Sequence, residues 1–249
     1  MIDDRVFLGY PLPFGDLCKI YPPTVDDTYK NEEFNQFLSL FTLSQEELDD
    51  AYVNEDKTVK TPTPFQYLLI NFKHNSEMRQ IVLKAFQFFI REDVTIVPEM
   101  EIVIIGKKEE DLDPDKDLIS PRLLTAENFF DFQNTIRLSL GLDAVEPPNP
   151  NEDPRVARIK AKARMRERIK AKRKSSLKMG TLLAAICCMG IGITPLNIGE
   201  MSYACVHWLV AMEQQKEEYD IDIRALLAGA DSKKIKPKYW IKNIDKEEL

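Results

Sequence analysis

A cation stands at every second position from Arg158 to Lys172, within the run RVARIKAKARMRERIKAKRK. The chemistry open to such a run is ionic. Lys and Arg neutralise phosphates, so the segment could hold a polyanion through contacts that ignore base sequence and weaken steeply with salt. The run has no aromatic side chains to stack on bases, and no nucleic-acid recognition motif accompanies it. The same charges would also serve a solvated spacer, or an arm attracted to acidic parts of its own chain or of a sister subunit. Arg164, Arg166, Arg168, Lys170, Lys172, Arg173 and Lys174 form the candidate electrostatic surface for a partner.

Residues suited to covalent or metal chemistry are sparse. His74 and His207 are the only histidines, and neither they nor Cys18, Cys187, Cys188 and Cys205 stand at zinc-ligand spacing. The chain lacks a nucleophile elbow, a glycine-rich phosphate loop, a zincin motif and a dinucleotide fingerprint. The acidic stretch EEDLDPDKD lacks the ligand alternation and glycine of a calcium loop and reads as solvated surface. His207, between Val206 and Trp208, reads as a packing histidine, and the Cys187-Cys188 pair as small core residues. The expectation is a protein that is not an enzyme and uses no cofactor and no metal. Large aromatics near a terminus either dock onto their own domain or anchor a partner, so Tyr239 and Trp240, together with Trp208, are the candidate partner contacts.

Charge is unevenly distributed. The formal net charge is −7, yet Arg155 to Lys178 holds twelve cations and one acid, net +11, leaving −18 for the rest. The opening MIDDRVFLGYPLP has no basic and apolar leader pattern, and the cysteines are too few for a disulfide scaffold, which together imply a reduced, intracellular setting. Against the basic run lies an apolar one, Gly180 to Ile193. At 14 residues it is shorter than the ~20 a membrane helix needs. Its glycines and alanines suit close packing, so it is expected to be a buried core helix and not a membrane span.

The elements that must position these residues follow from periodicity and start signals. RVFLGYPLPFGDLCKIYPP reads as a small β-hairpin or a pair of edge strands. Thr24 with Asp27 and Ser44 with Glu47 fit helix-start boxes, and Thr63-Pro64 marks a third start. Phe34, Phe37, Leu38 and Phe41 share one helical face, and Phe65, Leu68, Leu69 and Phe72 share another. Met78, Ile81, Val82, Ala85 and Phe89 make a further stripe. DVTIVPEMEIVIIG predicts a second hairpin, and a helix from Thr125 carries Phe129, Phe132, Ile136 and Leu140 inward before stopping at Gly141. Four prolines in LDAVEPPNPNEDP mark a boundary. Beyond it everything reads helical: Tyr203, Val206, His207 and Val210 on one face, then Tyr219, Ile223, Leu226 and Leu227 on another. The predicted fold class is α+β, mostly α: small N-terminal β-hairpins with a helical domain, then an all-helical C-terminal region. The expected parts are an N-terminal domain at 1–142, a Pro-rich linker at 143–154, a basic helix at 155–178 and a helical domain at 179–249.

In the order of its parts the chain resembles tail assembly chaperones of bacteriophages, particularly those of Gram-positive hosts. The resemblance is carried by IYPPTVDD, TAENFFDF, the Pro/Asn-rich break before the basic run, YDIDIRALLAGA and YWIKNI. It implies a non-enzymatic factor in the host cytoplasm that binds and solubilises the tape-measure protein, or another tail protein, during tail assembly; the N-terminal domain is then expected to serve self-association or docking. The chain departs from the small chaperones of that group in its length and its strongly basic centre. A nucleic-acid-binding accessory protein and a structural virion protein are the alternatives.

Overall fold

The computed structural model of the 249-residue chain describes residues 4–52, 61–111, 122–145, 179–231 and 235–239. The basic run 155–178, most of the Pro-rich linker and Trp240 lie outside the described residues.

The N-terminal part is built on helices whose starts are capped as their sequences demand. Helix α2 (Val25–Lys30) begins with Thr24, whose hydroxyl accepts from the Asp27 amide at 3.1 Å while the Asp27 carboxylate accepts from the Thr24 amide at 2.9 Å. Helix α5 (Pro64–His74) repeats the device with Thr63 and Gln66, and Asn75 caps α6 (Ser76–Ile90) by accepting from the amides of Glu77 and Met78. Between them lie α3 (Phe34–Thr42) and α4 (Gln45–Tyr52), the latter opened by reciprocal Ser44–Glu47 bonds. The inward faces of α3, α5 and α6 meet α7 (Ala126–Ser139) in one aromatic core. Phe41 stands edge-on to Phe86, Phe89 and Phe132 at centroid distances of 5.0, 5.7 and 5.7 Å, and all four rings are fully buried.

Two small antiparallel sheets close this core. Strands β1 (Leu12–Phe14) and β2 (Cys18–Ile20) form the first hairpin, preceded by a short helix α1 (Asp4–Phe7). The sequence reading had only strands in that opening. The second hairpin joins β3 (Val94–Val97) to β4 (Ile102–Ile105) through a 3-10 turn at Pro98–Met100, with Glu101 in the left-handed region at φ 53°. A third strand, β5 (Leu123–Thr125), pairs with β4, making it the central strand and burying Val103, Ile104 and Ile105 together. Periodicity missed β5 because three residues are too few to show alternation. Arg122 ties the sheets together: its Nε donates to the Leu17 carbonyl at 2.8 Å and its guanidinium pairs with Glu92 at 2.6 Å.

Beyond the linker stand α8 (Met179–Cys188), a 3-10 turn at Ile198–Glu200 and the 25-residue α9 (Tyr203–Leu227). The fold is α+β and mostly α, as composition and periodicity indicate. The apolar stretch Gly180–Ile193 departs from its expected burial. Helix α8 ends at Cys188, Ile186 is its one fully buried side chain, and Ala184, Ala185 and Cys188 face outward. Packing decides this: α8 lies on the outside of α9 and α2 and so offers only one stripe to the interior. Cys188 is accordingly not a core residue, and Cys187 is half-buried.

Truncating the ring at the centre of the aromatic cluster, Phe132→Ala, is expected to lower unfolding stability by about 3–5 kcal/mol, because large-to-small substitution adds a cavity to the lost transfer energy. Denaturant-induced unfolding followed by circular dichroism measures it.

Candidate protein-binding surface

The candidate site rests on α9, and α9 is mounted on the N-terminal part by its first two turns. Ser202 caps the helix, its hydroxyl accepting from the Cys205 amide at 3.1 Å. The segment just before the helix pairs with the strand-like entry to α2: the Val25 amide donates to the Met201 carbonyl at 2.9 Å, and the Tyr203 amide to the Pro23 carbonyl at 2.8 Å. Side chains complete the joint. Ala204 and Trp208 pack with Val6 and Leu12, while Val206 packs with Val25, Ile186 and Ile198.

Trp208 therefore sits elsewhere than a partner contact requires. It is 4% exposed and its ring stacks on Phe7 at 5.9 Å with an interplanar angle of 8°. Its indole N–H is buried without a hydrogen-bond partner among the described residues, against the turn at Gly141. The ring is a joint within the chain because its neighbours one turn back, Ala204 and Cys205, are small enough to let the helix approach α1 and the end of α7. Gly141 makes the same approach from the other side, at φ 75°, where an added Cβ would lie 2.9 Å from that of Ala204. Phe7 was the residue that sequence reasoning missed, since nothing in a local pattern links it to a tryptophan two hundred positions away.

His207 packs its ring edge-on to Tyr203 at 4.8 Å, and burial holds its pKa below the ordinary 6.5. Burial likewise pushes the Cys18 thiol up to about 12 and the Cys205 thiol up to about 11, so both stay protonated and unreactive at neutral pH. Among the described residues no group of His, Cys, Asp and Glu could hold a metal ion, and no helix is long and apolar enough to cross a membrane.

After Trp208 the character of α9 changes. Its fully buried residues end there, and the remainder presents a half-buried apolar stripe (Met212, Tyr219, Ile223 and Leu226) between polar side chains. Ile221 and Leu227 are 56% and 83% exposed, and Leu196, in the loop after α8, is 95% exposed. The described part of the tail reaches this region: Tyr239 stands edge-on to Tyr219 at 5.8 Å while remaining largely exposed. Of the aromatic partner candidates, then, Tyr239 lies on the outer surface of α9, Trp208 lies inside, and Trp240 is outside the described residues. The cationic candidates Arg164, Arg166, Arg168, Lys170, Lys172, Arg173 and Lys174 are likewise outside them.

Residues 170–245 match the family model described as the YomV second domain, a Bacillus phage-type family, and over that stretch, just under a third of the chain, the protein is similar to it. The match suggests a phage protein. No curated protein and no solved structure matches the chain.

Two measurements probe the joint. Gly141→Ala should destabilise the protein by about 1–3 kcal/mol, from backbone strain at positive φ and the clash with Ala204, and should shift the emission of Trp208. For His207 the folded pKa lies below the unfolded one, so the unfolded chain takes up the proton first as pH falls. Stability is thus complete above 6.5 and declines as pH drops toward the lowered value. The fall in melting temperature between about pH 7.5 and about pH 5.5 should be smaller in His207→Gln than in the parent protein.

Proposed function

We propose that this chain is a non-enzymatic phage tail assembly chaperone that binds and solubilises the tape-measure protein while the tail is built. The observation that carries the reading is the set of large apolar side chains left in solvent on the C-terminal helical region, above all Leu196 and Leu227 with Ile221. Isolated exposed apolar side chains are ordinary on a folded surface, but their accumulation beside the half-buried stripe of Met212, Tyr219, Ile223 and Leu226 favours docking of another polypeptide along α9. The family similarity of the same region supports a phage setting.

The physical need is specific. A very long helical protein that must stay extended until tube subunits polymerise around it exposes apolar stripes and aggregates if left bare. A helical surface that accepts such a stripe covers it, as an amphipathic helix is covered in a groove. Many copies along one client give large avidity from modest individual affinities. In this reading the N-terminal α+β part serves self-association or docking, the C-terminal helices hold the client, and Tyr239 lies near the contact. The work takes place in the host cytoplasm and leaves the finished particle without the chaperone.

Co-expression with the longest helical protein of the same genome is the direct test. The soluble fraction of that client should rise by about fivefold or more with the parent chain, as expected for multivalent cover, and fall back with the double variant Leu196→Asp, Leu227→Asp. A client equally insoluble with and without this chain, or recovery of the chain as a stoichiometric component of purified particles, overturns the proposal.

A further inference from the structure

Helix α9 ends in a locally encoded reversal. The Ala230 amide donates to the Ala225 carbonyl at 3.0 Å and the Gly229 amide to the Leu226 carbonyl at 3.0 Å, with Gly229 at φ 94°. This pair of bonds around a left-handed glycine is the Schellman stop, which turns the chain off the helix axis. The described tail, residues 235–239, is then held at both ends. The Ile235 amide donates to the Asp231 carbonyl at 3.2 Å, and the Tyr239 ring meets Tyr219 edge-on at 5.8 Å. The lengths agree with a path back beside the helix. From Tyr219 to Leu227 the helix rises about 12 Å, and an extended chain from Ile235 to Tyr239 reaches about 13 Å. Ile223 and Leu226 fall within the stretch so spanned. The tail alternates like a strand laid on a surface, with Ile235 and Pro237 half-buried and Lys236 and Lys238 exposed. Its hold is light: Tyr239 is 60% exposed, and neither lysine pairs with an acid among the described residues.

We propose that residues 235–239 are a strap that occupies the apolar seam of α9, formed by Tyr219, Ile223 and Leu226, and is displaced when a client binds there. Three observations select the chain's own tail as the occupant. It already makes the contact with Tyr219, its apolar side chains alternate toward the protein, and its short connection to the helix end keeps it at high effective concentration. While closed, the strap covers apolar surface that would otherwise drive association of free molecules. Because it must open first, the apparent affinity for a client falls by the fraction of molecules whose seam is free. The purpose of the strap rests on the client-binding role proposed for α9, whereas the contact itself does not.

The test uses the full chain carrying Tyr219→Cys and Tyr239→Cys, with Cys187→Ser and Cys188→Ser removing the accessible thiols and Cys18 and Cys205 left buried. A short bis-thiosulfonate linker should bridge the pair within one monomer, and reductant should release it. The bridged protein is expected to bind anilinonaphthalene sulfonate, a dye that reports open apolar surface, several-fold less than Tyr239→Ala does. The melting temperature of Tyr239→Ala should match the parent's, because the ring it removes is largely exposed. The client of the co-expression test, diluted from denaturant, should remain soluble several-fold less with the bridged protein than with the same variant after reduction. Absence of the bridge in monomers, or equal dye binding by the bridged protein and Tyr239→Ala, overturns the strap. So does a bridged form that protects the client as well as the reduced one. A client that neither form keeps soluble overturns the chaperone reading instead, and dye binding then still decides the strap.

Discussion

Two backbone hydrogen bonds, from Val25 to Met201 and from Tyr203 to Pro23, splice the entry of α9 onto the entry of α2. Everything that distinguishes the C-terminal region depends on this splice. Without it α9 would be a long helix with a short apolar patch at one end and no reason to hold a direction. With it, the first two turns are locked among Val6, Leu12, Val25, Ile186 and Ile198, and the later turns are carried outward on a fixed support. Backbone bonds suit this purpose because their geometry is directional, and here apolar packing on both sides shields them from water.

The support itself is stiff for a different reason. Phe41, Phe86, Phe89 and Phe132 fill the space between four helices with rings in edge-to-face contact, an arrangement that tolerates little change in shape. The Arg122 bridge to Glu92 and Leu17 then fixes the small sheets to that mass. The apolar side chains on the later turns of α9 can stay exposed because the core that keeps the protein folded lies elsewhere.

The candidate surface was only partly legible in the sequence. Spacing places Tyr219, Ile223, Leu226 and Leu227 on one helical face; the first three form the half-buried stripe of α9, while Leu227, at the last position of the helix, is 83% exposed. Trp208 could not be assigned correctly, since a tryptophan in an amphipathic helix looks the same whether it waits for a partner or fills a joint. What decides is Phe7, together with Gly141, and both approach Trp208 through long-range topology. The apolar run of α8 was misjudged in the same way. Composition gives its hydrophobicity, but whether one face or all faces are covered depends on how many neighbours surround it.

Local sequence determined the helix starts, because a capping box is a matter of two side chains three residues apart reaching each other's amides, and those at Thr24, Ser44 and Thr63 form as written. It also determined the inward faces of α3, α5, α6 and α7 and the β3–β4 hairpin, since periodicity and turn residues act within a few positions. Tertiary structure alone decided the third strand, the burial of Trp208 and the exposure of α8's outer face. Each of these depends on contacts between residues far apart along the chain, whose free energy arises only when the whole arrangement excludes water at once.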